Sequence, residues 1–220
     1  MRACILKNYY ALIERLVRPL VRSSFSPNVV SLVSLVASFA ACILYARGTF
    51  FWGGTVLLLS GFLDTLDGTI ARLTGQSTRF GALLDSTLDR YADFCVFAGL
   101  LIFYRYHWMF FIVILAILGS FMVSYVKARA ESLGTTRVVG LMQRPERVLL
   151  IVAGSLLTAP VSWYDPRYQD VPLVAVLCLL SILTNITALH RLLAARQELS
   201  QQEKEEMRSN RRPFPVKRRR

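Results

Sequence analysis

The sequence predicts an all-α integral membrane protein in which six transmembrane helices follow an N-terminal interfacial amphipathic helix. Of the 220 residues, 54% are hydrophobic, and the mean hydropathy is +0.44. Several apolar stretches reach the roughly 20 residues needed to cross a bilayer. Aspartates gather in and beside two of these stretches, where a carboxylate is costly unless it has a partner or a task. Composition therefore excludes a soluble domain, and the aspartates indicate a polar site.

The six predicted spans are joined by short connections. They lie at about residues 28–46, 50–71, 81–104, 108–127, 147–163 and 171–190. Ser26 and Pro27 open the first span as an N-cap followed by proline at the first helical position. We expect one membrane domain at residues 1–196 and a basic polar cytoplasmic tail at 197–220 that extends the last helix for a few turns.

The segment at about residues 3–22 is too charged to cross a membrane. Its apolar residues recur at helical spacing, and its charged residues fall mostly on the remaining face. This pattern is typical of an amphipathic helix that lies on the inner leaflet. A helix docked on the transmembrane bundle is the alternative.

The net charge of +12 is distributed unevenly along the chain. When the six spans alternate with both termini inside, only Arg47, Arg105 and Arg167 of the 26 basic residues fall outside. This asymmetry predicts a multi-pass protein of the inner (plasma) membrane whose termini and aspartates face the cytoplasm. The placement of basic residues on the inner side, and their attraction to anionic lipid, explain the positive net charge. We therefore expect no nucleic-acid partner.

The candidate site consists of aspartates at helical spacing. Asp64 and Asp67 share one helix face, and Asp85, Asp89 and Asp93 share a face of the next helix. A short turn makes the two helices antiparallel neighbours, so the carboxylates can converge. Because converging carboxylates repel each other, a pair of divalent cations with oxygen ligands is the natural partner.

Small residues and an arginine accompany these aspartates. Gly68, Ala71 and Gly81 allow close helix packing or a bulky ligand against the backbone. Arg72 lies near the aspartates and can grip a phosphate with two hydrogen bonds. The combination indicates a metal site for a pyrophosphate.

The complete pattern reads Asp64-x-x-Asp67-Gly68-x-x-Ala71-Arg72, eight residues, Gly81-x-x-x-Asp85-x-x-x-Asp89. It matches, without a departure, the signature of the CDP-alcohol phosphatidyltransferase family, and the resemblance covers essentially residues 1–196. The resemblance implies a six-span, commonly dimeric enzyme that transfers a phosphatidyl group to an alcohol and releases CMP. The donor would be CDP-diacylglycerol or another CDP-linked lipid.

The resemblance also implies a role for each matched position. Two ions, Mg²⁺ or Mn²⁺, would be held by Asp64, Asp67, Asp85 and Asp89, and Asp89 would be the general base. Positions that would bind the CDP-lipid are Pro27, Asn28, Val29, Val30, Gly68, Arg72, Thr78 and Gly81.

The acceptor is predicted from basic residues beyond the motif. We expect five of them to cluster near the metals at the inner surface and to bind a phosphorylated acceptor: Lys127, Arg129, Arg144, Arg147 and Arg191. The stretches YVKARAE and RPER resemble the branch that uses myo-inositol 1-phosphate. Glycerol 3-phosphate, which would give phosphatidylglycerol phosphate, fits the same charge argument.

Other interpretations compete with this one. The aspartates could be neutralised by ion pairs with Arg72, Arg79 and Arg90. Asp93 could support the metal ligands without binding the metal itself, or it could pair with Arg90 or Lys127. A cation transporter would also use intramembrane carboxylates, although it would distribute them along the membrane depth. A structural membrane protein with a basic tail would leave the aspartates unexplained.

Overall fold

The computed structural model describes residues 27–73, 78–136, 139–140 and 142–210. These residues form seven α-helices and a 3₁₀ turn at Pro166–Tyr168, with no strand among them. The predicted interfacial helix at 3–22 and the last ten residues of the tail lie outside the described residues. The helices are α1 (Pro27–Ala46), α2 (Phe50–Leu73), α3 (Arg79–Phe103), α4 (Met109–Ser132), α5 (Arg144–Leu156), α6 (Thr158–Tyr164) and α7 (Val171–Asn210).

Each predicted span coincides with helical structure, with two differences. The fifth span divides at Leu157 into α5 and the short α6. Helix α7 continues 20 residues beyond the predicted end of the sixth span, to Asn210. The tail therefore does extend the last helix, as its polar sequence predicts.

Four of the helical segments are long and apolar enough to cross a membrane: Val29–Ala46, Met109–Ser132, Arg144–Tyr164 and Pro166–Met207. Helix α2 contributes a shorter apolar segment, Phe50–Leu66. Helices α2 and α3 carry the aspartates and nearby arginines, and these charges lower their hydropathy. The all-helical fold of an integral membrane protein is thus confirmed, whereas the number of spans remains a prediction.

The packed helices enclose an apolar core, and their outer faces are apolar as well. Helix α1 packs on α2 and α3, α2 packs on α5, and α4 packs on α7. Tyr45, Leu100 and Leu177 are fully buried in the core. Large apolar side chains also cover the outer faces; Val36 of α1, for example, is 63% exposed. Lipid is a suitable solvent for such surfaces, because soluble monomers rarely expose large contiguous apolar patches.

Two glycines allow the helices around the aspartates to approach each other closely. A β-carbon at Gly99 of α3 would collide with the Cys42 carbonyl of α1, and one at Gly54 of α2 would collide with Ser155 of α5. Helix packing in membranes depends on such small residues. These contacts bring α3 against α1, and α5 against α2.

Hydroxyl groups join α1 to α2 just before the first aspartate. Ser60 Oγ donates to the Ser34 carbonyl at 2.9 Å, and it lies 2.8 Å from Ser38 Oγ. All three serines are buried. Because Ser60 lies four residues before Asp64, this cluster anchors the turn of α2 that carries the carboxylate.

Candidate functional site

The predicted convergence of carboxylates is present in the structure. Asp64 of α2 and Asp85 and Asp89 of α3 each offer an oxygen, and these three oxygens lie within 4.8 Å of one another. Asp67 lies on α2, three residues beyond Asp64, but its side chain is not among those described. Three of the four predicted metal ligands are therefore brought together.

The start of α3 is set by a local hydrogen bond. Thr78 is the N-cap, and its hydroxyl accepts a hydrogen bond of 2.9 Å from the Gly81 amide. Threonine caps helices in this way because its oxygen satisfies an otherwise unpaired backbone donor. The cap begins the helix at Arg79, so that Asp85 and Asp89 fall on successive turns at the same end of the bundle as Asp64.

An arginine from a distant part of the sequence enters the carboxylate cluster. Arg144, the first residue of α5, donates from Nη1 to Asp64 Oδ2, and the same nitrogen lies 2.7 Å from Asp89 Oδ1. Its Nε lies 3.5 Å from Asp93 Oδ1. The sequence reading placed Arg144 among acceptor-binding residues and missed these contacts, since they join positions 51 to 80 residues apart.

Asp93 is paired with α5, and its predicted partners were wrong. Arg147 Nη2 lies 3.0 Å from Asp93 Oδ2, and Arg147 is only 3% exposed. Lys127 instead faces Glu131 on its own helix at 3.8 Å. Asp93 therefore neutralises a buried guanidinium one helical turn from Asp89.

Ion pairing within the two aspartate helices is weak by comparison. Arg90 Nη1 lies 3.5 Å from Asp89 Oδ2, and the arginine side chain is 38% exposed. Arg79 makes no ion pair among the described residues, and the side chain of Arg72 is not described. Among the described side chains, the neutralising charges come mainly from α5.

The donor set fits a divalent cation. Carboxylate oxygens are the ligands that Mg²⁺ and Mn²⁺ prefer. Asp89 Oδ1 is buried and makes no hydrogen bond of acceptable geometry within the described part of the chain, even though Arg144 Nη1 is close. A buried carboxylate oxygen without a directed donor is costly, and a coordinated cation would satisfy it.

The five basic residues predicted to bind the acceptor line three pockets, two of which share Val126, Ala130 and Ala195. Arg144 and Arg147 border the carboxylates and line a pocket with Asp93. Lys127 and Arg191 line a second pocket, between α4 and α7. Arg129 lines an open cleft of about 520 Å³ that adjoins the second pocket.

Arg191 is tied into the backbone of its neighbours. It is 7% exposed, and it donates from Nε to the Val139 carbonyl at 2.7 Å and from Nη1 to the Val123 carbonyl at 2.8 Å. The arginine thereby fixes the connection between α4 and α5 against α7. This connection also contains Gly140, whose φ of +112° favours glycine.

A family model for CDP-alcohol phosphatidyltransferases matches residues 24–187, which include every helix of the site. The chain belongs to the CDP-alcohol phosphatidyltransferase family. The sequence-based recognition of the family, and of an enzyme that transfers a phosphatidyl group, is thereby confirmed. A transporter or a purely structural protein is no longer needed to explain the aspartates.

Relatives of this transferase include enzymes named for inositol phosphate lipids. The chain is 37% identical over 168 residues to a phosphatidylinositol phosphate synthase of Mycobacteroides abscessus. The aligned region covers 74% of this chain and 76% of the relative. It is 34% identical over 204 residues to an archaetidylinositol phosphate synthase of Methanothermobacter thermautotrophicus, covering 89% and 96% of the two chains.

Solved structures share the fold. The phosphatidylinositol phosphate synthase of Mycobacterium tuberculosis with CDP-DAG bound aligns with a TM-score of 0.73 at 31% identity, covering 84% of this chain and 94% of that chain. The same synthase in complex with manganese and citrate aligns with a TM-score of 0.73 at 32% identity, covering 83% and 88%. The fold is therefore that of a transferase whose solved complexes contain a CDP-lipid or a divalent metal.

The predicted CDP-lipid contacts of this transferase lie at the ends of three helices. Val29 is exposed in the first turn of α1, and Thr78 and Gly81 begin α3. The side chains of Pro27, Asn28 and Arg72 are not among those described, and Gly68 is placed only by its position on α2. The role of all eight positions remains a prediction.

Proposed function

We propose that this transferase moves the phosphatidyl group of CDP-diacylglycerol onto myo-inositol 1-phosphate and releases CMP. The observation that carries the proposal is the convergence of Asp64, Asp85 and Asp89, whose oxygens lie within 4.8 Å of one another. The relatives named for inositol phosphate lipids support the choice of acceptor.

We expect two ions, Mg²⁺ or Mn²⁺, at Asp64, Asp67, Asp85 and Asp89. When bound, they supply the positive charge that a pyrophosphate leaving group requires. The chain contributes the ligands and their positions: the serine cluster anchors Asp64, and the Thr78 cap sets the start of the helix that carries Asp85 and Asp89. The manganese complex of the related synthase supports this assignment.

Asp89 is proposed as the general base. In the reaction, the acceptor hydroxyl oxygen forms a bond to the phosphatidyl phosphorus, the phosphoanhydride bond to CMP breaks, and the hydroxyl proton passes to a carboxylate. Asp89 is the most surrounded of the three carboxylates, with Arg144 Nη1 at 2.7 Å and Arg90 Nη1 at 3.5 Å. These contacts hold the Asp89 side chain in place before the metal and substrates bind, and position is the first requirement for a general base.

The acceptor phosphate is proposed to bind at the cavity that Lys127 and Arg191 line, with Arg144 and Arg147 on the side of the carboxylates. A phosphorylated acceptor needs such cations, whereas a neutral alcohol does not. Arg129 is left out of this proposal because it lines a different cleft.

The membrane arrangement is also part of the proposal. We infer six spans within a domain at residues 1–196, an active site and both termini at the cytoplasmic face, and a homodimer. Support comes from the positions of Arg47, Arg105 and Arg167, which all lie at the end of the bundle opposite the aspartates. Single cysteines introduced into the protein can be labelled in right-side-out vesicles. If a cysteine near Lys204 reacted with a reagent added outside, the proposed topology would be reversed.

The direct test is CMP release from CDP-diacylglycerol by the purified protein with Mg²⁺ or Mn²⁺. We would offer myo-inositol 1-phosphate, glycerol 3-phosphate, free inositol and serine in parallel. Release only with myo-inositol 1-phosphate is the expected result. CMP release with glycerol 3-phosphate alone would mean that glycerol 3-phosphate, and not myo-inositol 1-phosphate, is the acceptor. Activity in excess EDTA would contradict the metal site.

A matched pair of variants tests the acceptor pocket. We expect Lys127→Ala to raise the KM for myo-inositol 1-phosphate about tenfold, the typical loss for one charged hydrogen bond, with little change in the KM for CDP-diacylglycerol. Arg129→Ala is the control, because it removes an equal charge from the same helix but from another cleft. Equal effects of the two variants would refute the assignment.

A further inference from the structure

Arg144 contacts the carboxylates that a divalent cation would use. Its Nη1 donates to Asp64 Oδ2 and lies 2.7 Å from Asp89 Oδ1. Both aspartates belong to the group of three whose oxygens converge within 4.8 Å. A metal ion held by these carboxylates would lie close to the Arg144 guanidinium and repel it, so the two cations compete for the site.

The surroundings of Arg144 offer it a second anchor. Asp93 Oδ1 lies 3.5 Å from Arg144 Nε, a different nitrogen from the one that contacts Asp64. Arg147 holds the other oxygen of Asp93 at 3.0 Å, which fixes that carboxylate in place. Arg144 can therefore turn its Nη1 away from Asp64 and Asp89 and keep an ion pair with Asp93.

The charges around the cluster favour such an exchange. Among the described side chains, four carboxylates, those of Asp64, Asp85, Asp89 and Asp93, lie beside three guanidinium groups, those of Arg90, Arg144 and Arg147. The excess of negative charge attracts a further cation. Arg144 is the cation at the centre, and its side chain is 20% exposed, so water can reach the contact.

We propose that Arg144 is an exchangeable internal counter-ion, which neutralises Asp64 and Asp89 until a divalent cation takes their oxygens. The inference rests on the proposed metal site and adds a step to it: loading of the metal displaces Arg144 toward Asp93. Arg144 is thus a positioning residue, which acts through the aspartates. It sets the affinity and selectivity of the site for cations.

The test is the dissociation constant for Mn²⁺, measured on detergent-solubilised protein by electron paramagnetic resonance of the free ion. We expect Arg144→Gln to bind Mn²⁺ at least about tenfold more tightly than the wild type, since a unit charge in contact with the ligands is worth more than one tenfold step. Arg144→Lys keeps the charge and should restore most of the weaker, wild-type affinity.

Arg90→Gln is the matched control. It removes the same charge beside the same carboxylate, but Arg90 contacts Asp89 Oδ2 at 3.5 Å rather than the pair of oxygens that Arg144 bridges. Its effect on Mn²⁺ affinity should be several-fold smaller. An equal gain in the two variants would mean that net charge alone matters, and an unchanged or weaker affinity in Arg144→Gln would overturn the proposal.

Thermal unfolding gives a second readout that a purely structural arginine would not produce. In EDTA, Arg144→Gln should unfold at a lower temperature than the wild type, because its carboxylates repel each other without a cation. In saturating Mn²⁺ the gap should close, since tighter binding to the folded state adds more stability. A gap that persists in Mn²⁺ would contradict the exchange.

The wild-type protein provides a third test that needs no folded glutamine variant. With ¹⁵N-labelled arginine, the Arg144 Nε–H signal is identified as the one missing from Arg144→Lys. Saturating Mg²⁺ should shift this signal strongly. An unmoved signal in protein that binds Mg²⁺ would refute the exchange, and no binding of Mn²⁺ or Mg²⁺ by any variant would refute the metal site itself.

Discussion

Asp64, Asp85 and Asp89 are the same residue type, but their environments differ. Asp89 is the carboxylate with a buried oxygen that lacks a directed hydrogen bond, and two arginines face it from different helices. The Asp64 side chain is 23% exposed and the Asp89 side chain 15%. The residue proposed as base is therefore the one whose surroundings constrain it most.

Asp89→Asn should abolish turnover. The amide cannot accept the acceptor proton and is a poorer ligand for a hard cation, so we expect CMP release to fall by at least about a thousandfold. Asp170→Asn is the control, because Asp170 accepts a hydrogen bond from Tyr104 beyond the ends of α3 and α7. Normal turnover in a folded Asp89→Asn protein would refute the role.

Asp93→Asn should lower stability more than most single substitutions. It leaves Arg147 buried without its ionic partner, and such losses cost about 3–5 kcal/mol. Unfolding in detergent would measure the change. Glu131→Gln is the control, because it breaks the exposed pair with Lys127 and should cost less than about 1 kcal/mol. Similar losses in the two variants would contradict the buried pairing.

The candidate site could be predicted only where its residues are close in sequence. Asp64, Asp85 and Asp89 follow from helical spacing and one short turn. Arg144 could not be assigned to them, because its contacts join residues up to 80 positions apart and depend on how α5 packs on α2. Arg129 illustrates the same limit: it lines the cleft that adjoins the pocket of Lys127, because a helix turns neighbouring residues toward different sides.

At the scale of the element, close helix contacts hold the site together. Gly54 of α2 faces Ser155 of α5 with no room for a β-carbon, and Tyr45 of α1 donates or accepts a 2.8 Å hydrogen bond at the same serine. One region therefore joins three helices. Since Asp64 and Arg144 lie on two of them, this contact contributes to the spacing of the helices that carry the carboxylate and the guanidinium.

Gly54→Val should separate α2 from α5 and reduce activity together with stability. Overpacking of this kind costs about 1–3 kcal/mol, which a lower midpoint of thermal unfolding would show. Gly61→Ala is a control on the same helix, because its new β-carbon would lie 3.6 Å from Val148, an ordinary contact. If Gly61→Ala proved as harmful as Gly54→Val, close packing at Gly54 would not be the cause.

The elements themselves were largely predictable. Apolar stretches, the proline at position 27 and the turn residues located the helices to within a few residues, as α1 and α3 show. The division at Leu157 was not predicted, although Pro160 lies three residues further on and lacks the backbone donor that a continuous helix needs. The full length of α7 was also underestimated, since its polar half is helical although it lies beyond the predicted span.

For the whole molecule, hydropathy rather than charge decides where the protein resides. The net charge of +12 would favour anionic surfaces, but the exposed apolar faces of the helices require lipid around them. We expect the protein to stay in the membrane pellet after high salt and alkaline carbonate, as measured by immunoblot. Release by salt would show that charge alone holds it there.

Helix α7 is longer than any bilayer requires. Its 40 residues measure about 60 Å at 1.5 Å per residue, about twice the thickness of the hydrocarbon core. The connection after α4 braces the excess, because the Thr136 amide donates to Glu198 at 2.8 Å and Gln202 donates to the Gly134 carbonyl at 3.2 Å.

If α7 stands along the membrane normal, its last 20 residues rise about 30 Å above the lipid. That height is several times the distance over which physiological salt screens charge. The far end of the helix therefore lies well away from the membrane surface. A partner that bound this end would do so in water, beyond the electric field of the lipid headgroups.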